Sequence, residues 1–203
     1  MKIYHSATSP FVRKCLVGAE ELGLRGKIEL VPATPHPVDR DRAVIAHNPL
    51  GKIPTLIADD GTVLYDSRVI CDYLNSLGDG RLVPAQGALR WTVYRDQALA
   101  DGIMEAAVLV RYETFARPES LRWKGWIDGQ LDKVNCGIKE LEQRAGSFGE
   151  RVDLGTIAIG CALGYLDFRF ASLSWRGACP QLAAWFARFG ARESMTGTRP
   201  PSA

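Results

Sequence analysis

Asn48-Pro49-Leu50-Gly51-Lys52-Ile53-Pro54-Thr55-Leu56 decides how the N-terminal half of this chain folds. A turn built from Asn, Pro and Gly runs directly into an apolar segment, with a second proline at the junction. Proline lacks an N–H and is tolerated in a sheet only at an edge or at a strand's first residue. A strand therefore starts at this point. If the Ile53-Pro54 bond is cis, Ile53 turns its own N–H and C=O outward, where they can pair strand-fashion with a peptide-like ligand. The plain alternative is an ordinary turn before a strand.

Working outward, residues 55–58 and 62–64 flank Asp59-Asp60-Gly61, a hairpin signal because Asp and Gly accept the backbone angles of tight turns. Upstream, residues 2–5 alternate like a strand, and Pro10 stands where a helix tolerates its missing N–H. Val12, Leu16, Ala19 and Leu22 follow at helical spacing until Gly23, and residues 28–31 form a short β-rich segment. Thr34-Pro35-His36-Pro37 reads as a loop. Downstream, Asp66-Ser67 opens a helix whose apolar face is Val69, Ile70, Tyr73, Leu74 and Leu77. The order βαβ, loop, ββα implies an α/β unit with a small mixed sheet and helices packed on it, spanning residues 1–78.

Residues 79–86, rich in Gly and Pro, read as a linker. Beyond it the strand signals vanish, and residues 87–203 form an all-α bundle with helices expected over 89–115, 120–144, 154–170 and 180–189. Gly155, Gly160 and Gly164 within one helix are expected to admit neighbouring backbone, since each otherwise costs about 1 kcal/mol relative to alanine. Asp153 is the expected cap of that helix. The tail from Gly197 to Ala203 is expected to be irregular.

Composition excludes several classes. Hydrophobic residues make up 46% and charged residues 24% of the 203, which is a globular balance. A net charge of +2 with interleaved signs, and no basic run longer than Arg13-Lys14, gives no support to nucleic-acid binding. The longest uncharged apolar stretch, 154–166, falls short of the ~18 residues a membrane span needs, and Met1-Lys2-Ile3 leads into no signal sequence. Five cysteines at irregular spacings, without a CxxC, read as free thiols in a reduced cytoplasm, and His5, His36 and His47 lack metal-site spacing.

Three helix-start or strand-edge groups can hold an anionic peptide. Asp66-Ser67 can cap its own helix, or Ser67 can grip a carboxylate while Asp66 pairs with an ammonium, which suits an amino-acid end. Ser9 precedes Pro10, and Thr8 competes with it for the same cap. A hydroxyl there can donate to a sulfur at the helix N-terminus. A free thiol has a pKa of ~8.5, and ionising it at neutral pH needs a shift of ~2 units, or ~2.7 kcal/mol. A hydrogen bond to a charged group supplies ~1.5–3 kcal/mol and the helix terminus ~0.3–1 more, so no protein base is required.

Ser9-Pro10-Phe11-Val12-Arg13-Lys14, the 48–56 stretch, Asp66-Ser67 ahead of Ile70 and Tyr73-Leu74, and Ile157-Ala158-Ile159-Gly160-Cys161-Ala162 together resemble the cytosolic glutathione S-transferases over essentially the whole chain. The likeness is greatest to bacterial members with a serine near the N-terminus. It implies a thioredoxin-like first domain, glutathione as co-substrate, no metal, and a homodimer paired through the helices beginning at Asp66 and Leu89. Residue by residue it implies that Ser9 is catalytic and hydrogen-bonds the glutathione sulfur, with Phe11 beside it. Ile53, before a cis Pro54, pairs with the cysteinyl backbone. Asp66 and Ser67 hold the γ-glutamyl end, Lys52 lies near the glycine carboxylate, and Asp101 reaches the γ-glutamyl ammonium in the partner subunit. The electrophile is expected between Phe11 and a helix face carrying Met104, Val108, Arg111, Tyr112 and Phe115, a mostly apolar set suited to a hydrophobic aromatic or unsaturated compound. A non-catalytic member of the same fold, acting through protein partners, is the alternative. Two departures stand out. Ser9 replaces the cysteine of disulfide-reducing members. Asp153 and Thr156 exchange the acid and hydroxyl of the usual capping pair, which predicts a weaker helix start.

Overall fold

Strand β1 (Lys2–His5) lies between β2 (Glu29–Pro32), which it meets in parallel, and β3 (Thr55–Ile57), which runs antiparallel to it. Ile3 faces Leu30 on one side and Leu56 on the other, and β4 (Val63–Leu64) closes a sheet of order β2-β1-β3-β4. The computed structural model describes residues 1–201. The parallel crossover contains α1 (Pro10–Glu21), and the hairpin leads into α3 (Ser67–Leu77), after the short α2 (Arg42–Ile45) in the proline-rich connection. This is the expected mixed sheet, with a thioredoxin-like arrangement.

The second half is helical: α4 (Ala88–Phe115), α5 (Lys124–Arg144), α6 (Leu154–Arg169), α7 (Trp175–Ala178), α8 (Pro180–Phe189) and α9 (Glu193–Thr196). Helix α5 begins at Lys124 rather than near 120. The Glu113 carboxylate accepts from the Trp123 N–H at 2.9 Å and from Arg117 at 2.7 Å, so the chain ahead of α5 is held in an extended turn. The C-terminal residues after Thr196 carry no regular structure as far as 201, while the last two residues of the expected tail lie outside the described residues. No single helix among the described residues is long and apolar enough to cross a membrane.

Helix α6 is buried on every face from Leu154 to Leu163 and is therefore central. The exchanged capping pair does not weaken it, contrary to expectation. Asp153 Oδ1 accepts from the Thr156 N–H at 2.9 Å, and Thr156 Oγ1 accepts from the Asp153 N–H at 3.0 Å, so the reciprocal box closes with the acid and hydroxyl interchanged. Of its glycines, Gly155 meets backbone as expected, a Cβ there falling 2.9 Å from the Val93 oxygen. Gly160 and Gly164 instead make room for side chains, the Phe189 ring of α8 and the Arg13 guanidinium of α1.

Helix α1 is enclosed between the sheet side and the bundle, touching α3, α4, α6 and α9. Two cations in so buried a helix need partners. Lys14 Nζ meets Asp101 Oδ1 of α4 at 2.6 Å, with the two side chains 0% and 1% exposed. The other Asp101 oxygen accepts from Arg68 Nε of α3 at 2.9 Å, and Arg68 also reaches Glu105 at 3.3 Å. Burial opposes the Lys14 charge, but the charge and hydrogen bond of the Asp101 carboxylate outweigh it and hold its pKa above the usual value. At the far end of α1, burial likewise opposes ionisation of Glu21, yet hydrogen bonds from Arg192 and Ser194 keep it below the usual carboxylate range.

The segment between α3 and α4 is no slack tether. Leu82 and Val83 are buried, the Leu82 N–H donates to Asn75 Oδ1 at 3.0 Å, and the Leu82 carbonyl accepts from the Leu154 N–H at 3.0 Å. The five cysteines are free. Cys136 is exposed and the other four are buried, Cys15 and Cys71 lying with sulfurs 3.8 Å apart.

Asp101→Asn strands the Lys14 ammonium in the interior and should lower the unfolding free energy by about 3–5 kcal/mol in urea titration. Lys14→Met combined with Asp101→Leu should recover most of that loss, because no buried charge remains.

Candidate functional site

The site starts where β1 ends. The Ser9 N–H donates to the Ser6 carbonyl at 3.0 Å, closing a turn that delivers Ser9 to the N-cap of α1 in an extended conformation. Its Oγ accepts from the Val12 N–H at 3.3 Å. A hydroxyl that accepts from backbone keeps its own proton for an outside acceptor, and Pro10 at the first helical position leaves no competing N–H. Thr8 is placed differently: its Oγ1 lies 3.2 Å from Ser6 Oγ. Phe11, half-buried, packs beside Ser9 on the core, with Lys14 Nζ 6.0 Å from its ring centre.

The second group is the 48–55 loop. Asn48, buried, ties it together: its Nδ2 donates to the Lys52 carbonyl at 3.1 Å and to Thr55 Oγ1 at 3.0 Å, while its Oδ1 accepts from the Leu50 N–H at 3.0 Å. Thr55 Oγ1 donates to the same Lys52 carbonyl at 2.8 Å. The Ile53-Pro54 bond is cis, as the sequence allowed. Among the described residues the Ile53 N–H and C=O make no hydrogen bond, so a strand-like edge is available there. Lys52 is exposed at the loop's rim, and Arg40 donates to the Pro49 carbonyl beside it.

The third group is the start of α3. Asp66 caps the helix by accepting from the Arg68 N–H at 2.9 Å and remains exposed. Ser67 is buried at the first helical position, and among the described residues its hydroxyl has no hydrogen-bond partner. A hydroxyl at a helix N-terminus that has no protein partner and is not itself sealed off is suited to an anionic oxygen.

Asp101 does not join this set as expected. Both of its oxygens are taken by Lys14 and Arg68 of its own subunit, and its side chain is enclosed. A charge paired twice inside the fold is not free to reach a ligand in a second subunit. Its reach toward the site runs through Arg68, next to Ser67.

On α4, Val108, Arg111 and Tyr112 are partly open, whereas Met104 belongs wholly to the core. Phe115 is exposed and carries the Arg111 guanidinium 4.1 Å over its ring. Burial pushes the Tyr112 phenol up, so it is a proton donor at neutral pH. Tyr165 of α6, in the same electrostatic neighbourhood, is pushed up to about 12, chiefly by burial. Among the described residues no three His, Cys, Asp or Glu side chains cluster as a metal site requires.

Sequence reasoning missed the roles of Asn48, Arg40 and Arg68. Asn48 carried a signal, standing first in the decisive loop, but read only as a turn former.

Residues 8–77 match the family model of the glutathione S-transferase N-terminal domain, and residues 124–188 match that of the C-terminal domain. The GST-like protein YibF of Escherichia coli (strain K12), itself uncharacterized, is 35% identical over 207 residues, covering 100% of both chains. A glutathione transferase family member from Pseudomonas fluorescens Pf-5, solved with bound glutathione, superposes with a TM-score of 0.96 at 46% identity, covering 98% of each chain. A glutathione S-transferase from Methylobacillus flagellatus, also solved with glutathione, gives 0.87 at 38% identity over 98% of this chain and 99% of that one.

Asn48→Ala removes the clamp on the Lys52 carbonyl and the Leu50 N–H and should cost about 1–3 kcal/mol in chemical denaturation. The same variant should speed amide hydrogen exchange over residues 50–55, because the loop that carries the Ile53 edge is no longer held.

Proposed function

The chain belongs to the glutathione S-transferase family, and on that premise we propose that it is a serine-type glutathione transferase that binds glutathione, stabilises its thiolate and passes the sulfur to a small hydrophobic electrophile. The observation that carries the reading is Ser9, whose hydroxyl is fixed by the Val12 N–H and keeps its proton for the sulfur. The thiolate gains the Ser9 hydrogen bond and the N-terminus of α1, which together offset the ~2.7 kcal/mol that ionisation requires. The cysteinyl backbone pairs with Ile53, Ser67 receives the γ-glutamyl carboxylate, and Asp66 its ammonium. Lys52 lies toward the glycine carboxylate. The ionised sulfur then attacks the electrophile, forming the thioether while the leaving group departs, or while a proton is taken up after addition.

The electrophile is proposed to lodge between Phe11 and the Val108, Arg111 and Tyr112 face of α4. Tyr112 donates to the charge that develops there, which its raised pKa permits. A homodimer in the cytoplasm is part of this reading. Tyr65, Val69, Leu77, Leu89 and Trp91 on or beside α3 and α4 are exposed apolar groups suited to burial in a two-fold contact. The non-catalytic alternative is the weaker reading, since the hydroxyl that activates the thiol and the Asp66-Ser67 pair are both retained.

Titration of the ultraviolet thiolate absorbance of bound glutathione should show a pKa well below that of the free thiol. Ser9→Ala should return it toward the free value and lower kcat more than it raises KM, while Thr8→Ala does less. A thiol pKa unmoved in the native protein removes the case for catalysis.

Across a panel of halogenated aromatics, enals, isothiocyanates and hydroperoxides, Tyr112→Phe should slow turnover of at least one active compound about tenfold or more. Unchanged rates throughout would place Tyr112 in the core rather than in the cleft.

A further inference from the structure

Between α6, α8 and the last described residues lies a cavity of 520 Å³ that the glutathione site does not use. Its wall includes Arg13, Arg176 and Arg199, a single carboxylate, Asp167, and the rings of Phe168 and Phe186. Arg13 is only 9% exposed. Its Nη2 donates to the Met195 carbonyl at 2.9 Å and its Nε to Thr198 Oγ1 at 3.4 Å. Among the described residues Nη1 finds no acceptor, and no carboxylate pairs with this guanidinium. Nη1 lies over the bare backbone of Gly164, which also faces the cavity.

A buried guanidinium cannot shed its proton to escape desolvation, so a missing counter-anion is conspicuous. Asp167 does not fill that role. Arg176 forks both of its oxygens, one at 2.6 Å, and Trp175 Nε1 donates to it at 3.0 Å. Arg199 stands exposed at the mouth with no ion-pair partner among the described residues. The cavity thus presents two uncompensated cations, one of them buried, against two phenyl rings. Asp167 in the wall repels a second negative charge on any occupant.

We propose that this cavity binds a small monocarboxylate with an apolar tail, its carboxylate on Arg13 Nη1 and Arg199 and its tail on Phe168 and Phe186. The site is separate from glutathione binding and stands whether or not the chain is a transferase.

Calorimetric titration with 4-phenylbutyrate and its neutral isostere 4-phenylbutyramide tests it on the native protein. The acid should bind saturably, one per chain, and the amide at least about tenfold more weakly, as loss of a charge-assisted hydrogen bond implies. Arg199→Glu, on the exposed tail, should weaken the acid by about tenfold or more. Ala187→Trp, which fills the cavity from an exposed position on α8 without removing charge, should abolish binding. Thermal melts establish that both variants remain folded, and S-hexylglutathione should not displace the acid. Absence of saturable binding, equal affinity for acid and amide, unchanged affinity in either variant, or displacement by S-hexylglutathione each overturns the proposal.

Discussion

The Lys14–Asp101 pair is the constraint around which the two halves of the molecule are arranged. It joins the middle of α1 to the middle of α4, and through Arg68 it takes in the first turn of α3. Ser9 lies just over one helical turn before Lys14, and Ser67 immediately before Arg68. One carboxylate therefore registers both helix starts of the site against the bundle. A buried pair at best offsets its own desolvation, so its effect is on relative orientation more than on net stability. Pinning of Leu82 to Asn75 and Leu154 works in the same sense, closing off rotation of one half against the other.

The N-terminal architecture was legible because its punctuation is local. The Asn-Pro-Gly turn, the Asp-Asp-Gly hairpin and the Ser-Pro helix start each fix backbone geometry within a few residues. The helices of the second half were legible from period alone, except where a distant side chain intervened, as Glu113 does before α5. Ser9, Ile53 and Ser67 stand where the sequence put them because caps and strand entries are properties of sequence neighbours. Asp101 was misplaced for the opposite reason. Its partners lie on α1 and α3, and nothing within α4 distinguishes an acid turned inward from one turned out. The interchanged Asp153–Thr156 box shows a milder form of this: reciprocal capping needs an acceptor for each amide, and a hydroxyl accepts as well as a carboxylate does.

The glycines of α6 connect the core to the site. Gly164 lets the Arg13 guanidinium lie against the central helix, and Arg13 in turn ties α1 to the carbonyl of Met195 near the C-terminus. The position of α1, and hence of its Ser9 cap, is set from two sides, by Asp101 on one flank and by the C-terminal turns on the other.

Burial of the cysteines has a bearing on chemical selectivity. A protein that brings an activated thiolate to reactive electrophiles exposes its own thiols to the same reagents. Burial pushes the Cys161 thiol up to about 11, leaving roughly one molecule in ten thousand ionised at neutral pH. Cys15 and Cys179 are raised as well, again chiefly by burial. On the proposed transferase reading, the reactive sulfur is the one that arrives with the ligand, and burial shields these scaffold thiols from the electrophiles it meets. Cys136, alone on the surface of α5, is where that immunity ends.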